Sequence, residues 1–78
     1  MPSNVRDQIA AEVRAELARQ QKTQRQAGEV LDLPQPSVQL RLKGERAFRA
    51  EELVKLAAWL GVPVEQFLPA PASAGHAQ

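Results

Sequence analysis

The 78-residue chain has no cysteine and no tyrosine, and its only aromatic side chains are one tryptophan and two phenylalanines. Without thiols, neither a disulfide framework nor a thiolate metal site is available. The single histidine, His76, lies in a Pro/Ala/Ser/Gly/Gln tail, a poor place for a catalytic group. No paired carboxylates mark an evident pocket and no Gly-rich phosphate loop is present, so no enzyme, catalytic residue, metal or cofactor is expected. No apolar run approaches the roughly 20 residues of a membrane span, and the start, MPSNVRDQ, lacks the apolar stretch of a secretion signal. The expectation is a soluble protein of the cytoplasm.

What is present favours helices. Alanine is abundant and β-branched residues are scattered, so an all-α domain with one modest core is expected. Net charge is only +1, but it is unevenly spread. Residues 19–49 carry seven basic groups (Arg19, Lys22, Arg25, Arg41, Lys43, Arg46, Arg49) against three acidic ones (Glu29, Asp32, Glu45), and both flanking stretches are net acidic. A local positive excess suits the neutralisation of phosphates; a solvated charged face is the alternative.

Val5, Ile9, Val13 and Leu17 recur at every fourth residue, which predicts a first amphipathic helix over 5–21, capped by Ser3 or Asn4. Thr23 and Gln26 have the spacing of a capping box. A second helix follows them to about Leu31 and buries Ala27, Val30 and Leu31. Gly28 within it lowers helix propensity by about 1 kcal/mol relative to alanine, which points to close approach by another helix; an unremarkable flaw in a short helix is the alternative. Pro34 disfavours helical geometry at Leu33 and stops the second helix. Leu33 is then placed to plug the gap between neighbouring helices. A third helix is expected over 35–43, with Gly44 as its C-cap. A fourth over 50–60 buries Leu53, Leu56, Ala57 and Leu60 and ends at Gly61. A short fifth, over 64–68, folds Phe67 and Leu68 back onto the core. Residues 1–68 thus form one domain, and 69–78 (PAPASAGHAQ) a disordered tail.

The third helix has a polar outside. With Val38 at the centre of its inner face, Leu42 falls about 40° away, while Pro36, Leu40 and Lys43 point roughly opposite. Gln39 lies on one flank and Arg41 on the other. Gln35 stands at the helix start. A glutamine amide can pair in bidentate fashion with adenine N6/N7, an exposed Leu40 can meet a thymine methyl group, and Arg41 can reach a guanine edge or a phosphate.

Several of these residues form a pattern: Thr23-Gln24 opening one helix, Gly28 within it, Leu33 in the turn, Gln35 starting the next helix, then Val38 and Gly44. That pattern, over about Val13 to Leu68, resembles the Cro/C1 (Xre-type) helix-turn-helix family, and EELVKLAAWLGVPVEQFL is similar to the family's fourth and fifth helices. The resemblance implies a five-helix, lambda-repressor-like DNA-binding domain whose second and third helices form the helix-turn-helix. By it, Gln24 clamps a phosphate and buttresses Gln35, and Gln35, Pro36, Gln39 and Leu40 face the bases, with Arg41 beside them. Lys22, Arg25, Ser37, Lys43, Arg46 and Arg49 make up the rest of the phosphate-contacting set. Three positions depart from the family: Asp32 where glycine is usual in the turn, Gln39 for a common serine, and Pro36 for a residue that often reads a base. The segment VQLRLKGERAF looks most like small actinobacterial and actinophage regulators.

The function expected from this resemblance is that of a small phage Cro-like or immunity-repressor-like regulator that binds double-stranded DNA and occupies a promoter, without a small-molecule ligand. Fewer than a dozen residues follow Leu68, so a homodimer, in solution or only on DNA, is expected to form through the domain itself. Trp59, Val64 and Phe67 are the candidate contact; packing of Trp59 across the core edge is the alternative. Two other readings use the same fold: an antitoxin bound to a toxin, and a helical adaptor contacting protein through the Leu40 and Trp59 surfaces.

Overall fold

Asn4 opens the first helix by accepting the Asp7 N–H on its Oδ1 at 2.8 Å, which satisfies one of the amides a helix start leaves unpaired. The computed structural model describes residues 4–69; Ser3, the alternative cap, and the tail beyond Pro69 lie outside them. Helix α1 (Val5–Arg19) buries Ala10, Val13, Glu16 and Leu17. Val5 is 58% exposed and Ile9 only half-buried, which corrects the four-residue stripe. Over three steps a repeat of four drifts about 120° around a helix, so its two ends cannot share one buried face. Helix α1 also stops two residues early. Gln21 takes a left-handed φ of 58°, and the Lys22 N–H reaches back to the Leu17 carbonyl at 2.8 Å, closing the helix end.

Helix α2 (Gln24–Leu31) starts from the expected capping box: the Gln26 N–H donates to Thr23 Oγ1 at 3.0 Å, and the Thr23 N–H to Gln26 Oε1 at 2.8 Å. It buries Ala27, Gly28 and Leu31, while Val30 is half-buried at the core edge. Asp32, left-handed at φ 57°, ends it, and the Leu33 N–H bonds the Gly28 carbonyl at 2.9 Å. Helix α3 (Gln35–Leu42) follows, with Pro34 at its cap and Pro36 in its first turn, where no amide is missed. Lys43 lies just past its end. Gly44, at φ 81°, turns the chain against Asp7 of α1. Helix α4 (Ala50–Leu60) has the expected bounds and ends at Gly61. A single 3-10 turn, Val64–Phe67, closes the domain. Phe67 is fully buried, but Leu68 is 44% exposed, so of the two residues expected to fold back only Phe67 does.

All five elements among the described residues are helical. Helix α2 packs on α3 and α4, α1 on α3 and the 3-10 turn, and α4 on the 3-10 turn. The core at their centre is Val13, Leu17, Ala27, Leu31, Val38, Leu42, Leu53, Leu56, Ala57, Leu60 and Phe67. Each large side chain among them contributes about 1.5–3 kcal/mol by leaving water. Among the described residues, no helix is long and apolar enough to cross a membrane.

A polar cluster ties the 3-10 turn to α1 and α4. Glu16, only 3% exposed, accepts from Gln66 Nε2 at 2.6 Å and from Gln20 Nε2 at 2.7 Å, and pairs with Arg19. Gln20 also donates to the Leu60 carbonyl at the end of α4, at 2.8 Å. The Gln20 hydrogen bond, with Gln66 and the Arg19 charge, holds the Glu16 carboxyl below its ordinary value near 4.5 despite burial. This pairing lets a carboxylate sit inside the fold.

Candidate nucleic-acid interface

Helix α3 is short and presents two unlike faces. Val38, Arg41 and Leu42 are buried. Gln35, Pro36 and Gln39, with Lys43 just past the helix end, are exposed. Gln35, Gln39 and Lys43 are four residues apart, so they run along one side of the helix axis. Ser37 and Leu40 are half-buried. The exposed face is therefore turned toward the Gln39 flank and is not centred opposite Val38.

Arg41 corrects the sequence reading. Its Nε donates to Glu52 Oε1 of α4 at 2.9 Å and its Nη1 to the Ser37 carbonyl at 3.1 Å. The side chain is only 8% exposed and is turned toward α4, with Nε and Nη1 both engaged within the protein. Leu40, expected as an exposed apolar contact, is also drawn partly inward, and its carbonyl accepts the N–H groups of Glu45 and Arg46 at 2.9 and 3.2 Å. Those two bonds shape the loop that carries exposed Lys43, Arg46 and Arg49.

Gly28 sets how closely α2 and α3 approach. A Cβ there would stand 2.9 Å from the Leu33 carbonyl oxygen and 3.3 Å from Val38 Cγ2, so the glycine is there because no side chain fits. Beside this junction runs an open groove of about 430 Å³, which brings Arg25 of α2 to the same surface as Gln35, Pro34 and Leu33. Glu29 and Asp32 line it too, so this surface carries both signs of charge. Gln24 is exposed at the start of α2. Lys22 lies apart, half-buried, its ammonium 5.4 Å from the centre of the Trp59 ring and lining a second groove with Gln26, Glu29 and Val30.

The helix-turn-helix family model matches residues 13–67, from the middle of α1 to the last residue of the 3-10 turn. The chain belongs to the Xre/Cro-class helix-turn-helix family. Among solved structures, this helix-turn-helix domain is similar to the DNA-binding domain of BldD (30% identity, TM-score 0.71, 88% of this chain and 100% of that one). It is also similar to the BldD DNA-binding domain from S. venezulae (29% identity, TM-score 0.71, 86% and 100%). A hypothetical transcription factor from Neisseria shares the fold at 21% identity (TM-score 0.73, 91% and 88%). No curated protein matches significantly.

Two features of the helix-turn-helix lay beyond sequence reasoning. Arg14 of α1 donates through Nη1 to the Leu42 carbonyl and so caps the C-terminal end of α3. Glu52, in the first turn of α4, is buried and accepts from both Arg41 and the Arg49 N–H. The only sequence signal for the second is the three-residue step from Arg49 to Glu52, half of a capping box. The dimer trio is not one patch. Phe67 is fully buried, which removes it as a contact, and Trp59 and Val64 are half-buried against the core.

Proposed function

We propose that this domain is a sequence-specific regulator of the Cro-like type, which binds double-stranded DNA and represses by occupying a promoter. The observation that carries the reading is the exposed line of Gln35, Pro36, Gln39 and Lys43 on a helix whose other side is buried. A helix of α3's diameter fits the major groove, and its N-terminal end is the one that reaches base edges in this motif. Gln35 and Gln39 pair with bases, with Pro36 and the outer part of Leu40 making apolar contact. Gln24, Arg25, Ser37, Lys43, Arg46 and Arg49 hold phosphates, with Lys22 at the margin. These contacts fix register, and the amides supply the discrimination. A single module reads only a few base pairs, so two copies on half-sites about one helical turn apart complete the operator. Trp59 and Val64 are the residues proposed for contact between copies.

The test is selection of the purified protein against random duplex DNA at physiological salt. The expected outcome is enrichment of an inverted repeat whose halves lie about one helical turn apart. Enrichment of a single half-site would remove the dimer from the proposal. Recovery of the input pool unchanged would overturn DNA reading and favour a protein partner.

A further inference from the structure

Helix α3 is eight residues long, and its apolar anchors are Val38 and Leu42. It rests on α1 and α2. Its Arg41 flank is tied to α4 by a charged hydrogen bond. One oxygen, Glu52 Oε1, accepts the Arg41 Nε–H at 2.9 Å and the Arg49 N–H at 2.9 Å. The same guanidinium reaches back to the Ser37 carbonyl, one turn earlier on α3. A single oxygen of α4 therefore ties the Arg41 flank of α3 to the end of the loop that carries Lys43, Arg46 and Arg49.

We infer that Glu52 is a positioning residue for sequence discrimination: acting through Arg41, it sets the roll of the recognition helix relative to the basic loop without touching DNA. The inference rests on the DNA-reading assignment above. A roll of about 20° would swing a group about 6 Å from the helix axis through about 2 Å, more than a base-edge hydrogen bond tolerates. Contacts between flexible lysine or arginine side chains and phosphates absorb such a shift, because a point charge is not directional. Loss of the pair thus removes discrimination and spares non-specific affinity. Stability alone does not account for the pair, since a buried ion pair contributes little more than well-packed apolar side chains of the same volume.

The experiment measures, for wild type and variants confirmed folded by circular dichroism, the affinity for the selected sequence, for single-base variants of it, and for random duplex. In Glu52→Ala and Arg41→Met, the ratio of selected-site to random affinity falls about tenfold, the discrimination of one good bidentate base contact. Random-duplex affinity and its salt slope stay as in wild type. Glu52→Gln keeps an oxygen able to accept both N–H groups and retains the ratio within about twofold. An unchanged ratio in folded Glu52→Ala, or a proportional fall in both affinities, would overturn the inference while leaving DNA reading intact. Wild type that enriches no sequence would overturn both. Should neither disruptive variant fold, wild type decides the matter: the Arg41 Nε proton is protected from solvent exchange in the free protein and on DNA, and rapid exchange in either state overturns the inference.

Discussion

Replacing Gly28 with alanine sets two effects of opposite sign against each other. Alanine in a helix interior gains about 1 kcal/mol over glycine. Its Cβ, however, would meet the Leu33 carbonyl oxygen at 2.9 Å and Val38 Cγ2 at 3.3 Å, inside an ordinary contact of roughly 3.5 Å. The first of these atoms is backbone, in the turn that fixes where α3 begins, so it cannot rotate aside. Forced overpacking of this kind costs about 2 kcal/mol. The net loss is then about 1 kcal/mol, which lowers the melting midpoint of a domain this size by roughly 4–8 °C. Relief of the overlap pushes the turn outward and carries Gln35 with it, so affinity for the selected sequence falls more than affinity for random duplex. Thermal melting followed by circular dichroism reads the first effect, and paired binding measurements the second. A midpoint equal to or above that of wild type would refute the close approach of α2 and α3 as the reason for this glycine.

Asp32→Gly relieves the left-handed backbone at the end of α2 and stabilises by about 0.5–1 kcal/mol. Asp32→Asn removes the same charge from the groove while tolerating that conformation, so both variants bind random duplex more tightly at low salt; a gain in only one would separate backbone from charge. Gln35→Ala costs about 1–3 kcal/mol on the selected sequence and relaxes preference at one position, whereas Lys43→Ala weakens all sequences alike and reduces the salt slope by about 0.9. Equal behaviour of these two variants would argue against the division of labour along α3. The Glu16 carboxyl titrates below its ordinary value near 4.5 in the folded chain, so the unfolded state binds the extra proton first as pH falls. Its contribution is complete above about pH 4.5 and is lost as pH drops through the folded value. Denaturant midpoints of Glu16→Gln measured from pH 6 to pH 3 are expected to fall less steeply than those of wild type, and parallel curves would contradict the assignment.

The features legible from the sequence were those decided within a few residues. The Thr23–Gln26 box, the stop at Pro34, the turn at Gly44 and the bounds of α4 each depend on hydrogen bonds or backbone restrictions spanning one turn of chain. Val38 and Leu42 as buried, and Pro36 and Gln39 as exposed, followed from the helical period. Arg41 did not. It sits on a flank about 60° from Val38, and whether such a flank is wet or dry depends on where α4 lies, which no local pattern specifies. Val5 and Leu68 failed for a related reason: apolar residues near the ends of an element are buried only if a neighbour extends far enough to cover them. The Glu16–Gln20–Gln66 cluster joins residues 50 positions apart, and polar residues at that separation leave no periodic trace.

Trp59 is the chain's only tryptophan, and tyrosine is absent, so ultraviolet emission from this protein comes almost wholly from one ring. That ring has the Lys22 ammonium over it, one residue before the cap of α2. Its emission is therefore sensitive to where that cation rests. If the lysine is drawn toward a polyanion, or if the start of α2 frays, the indole loses that field and its spectrum moves. The protein carries an optical gauge of its own helix-turn-helix at a site no label needs to occupy, and binding or loosening can be followed in unmodified material.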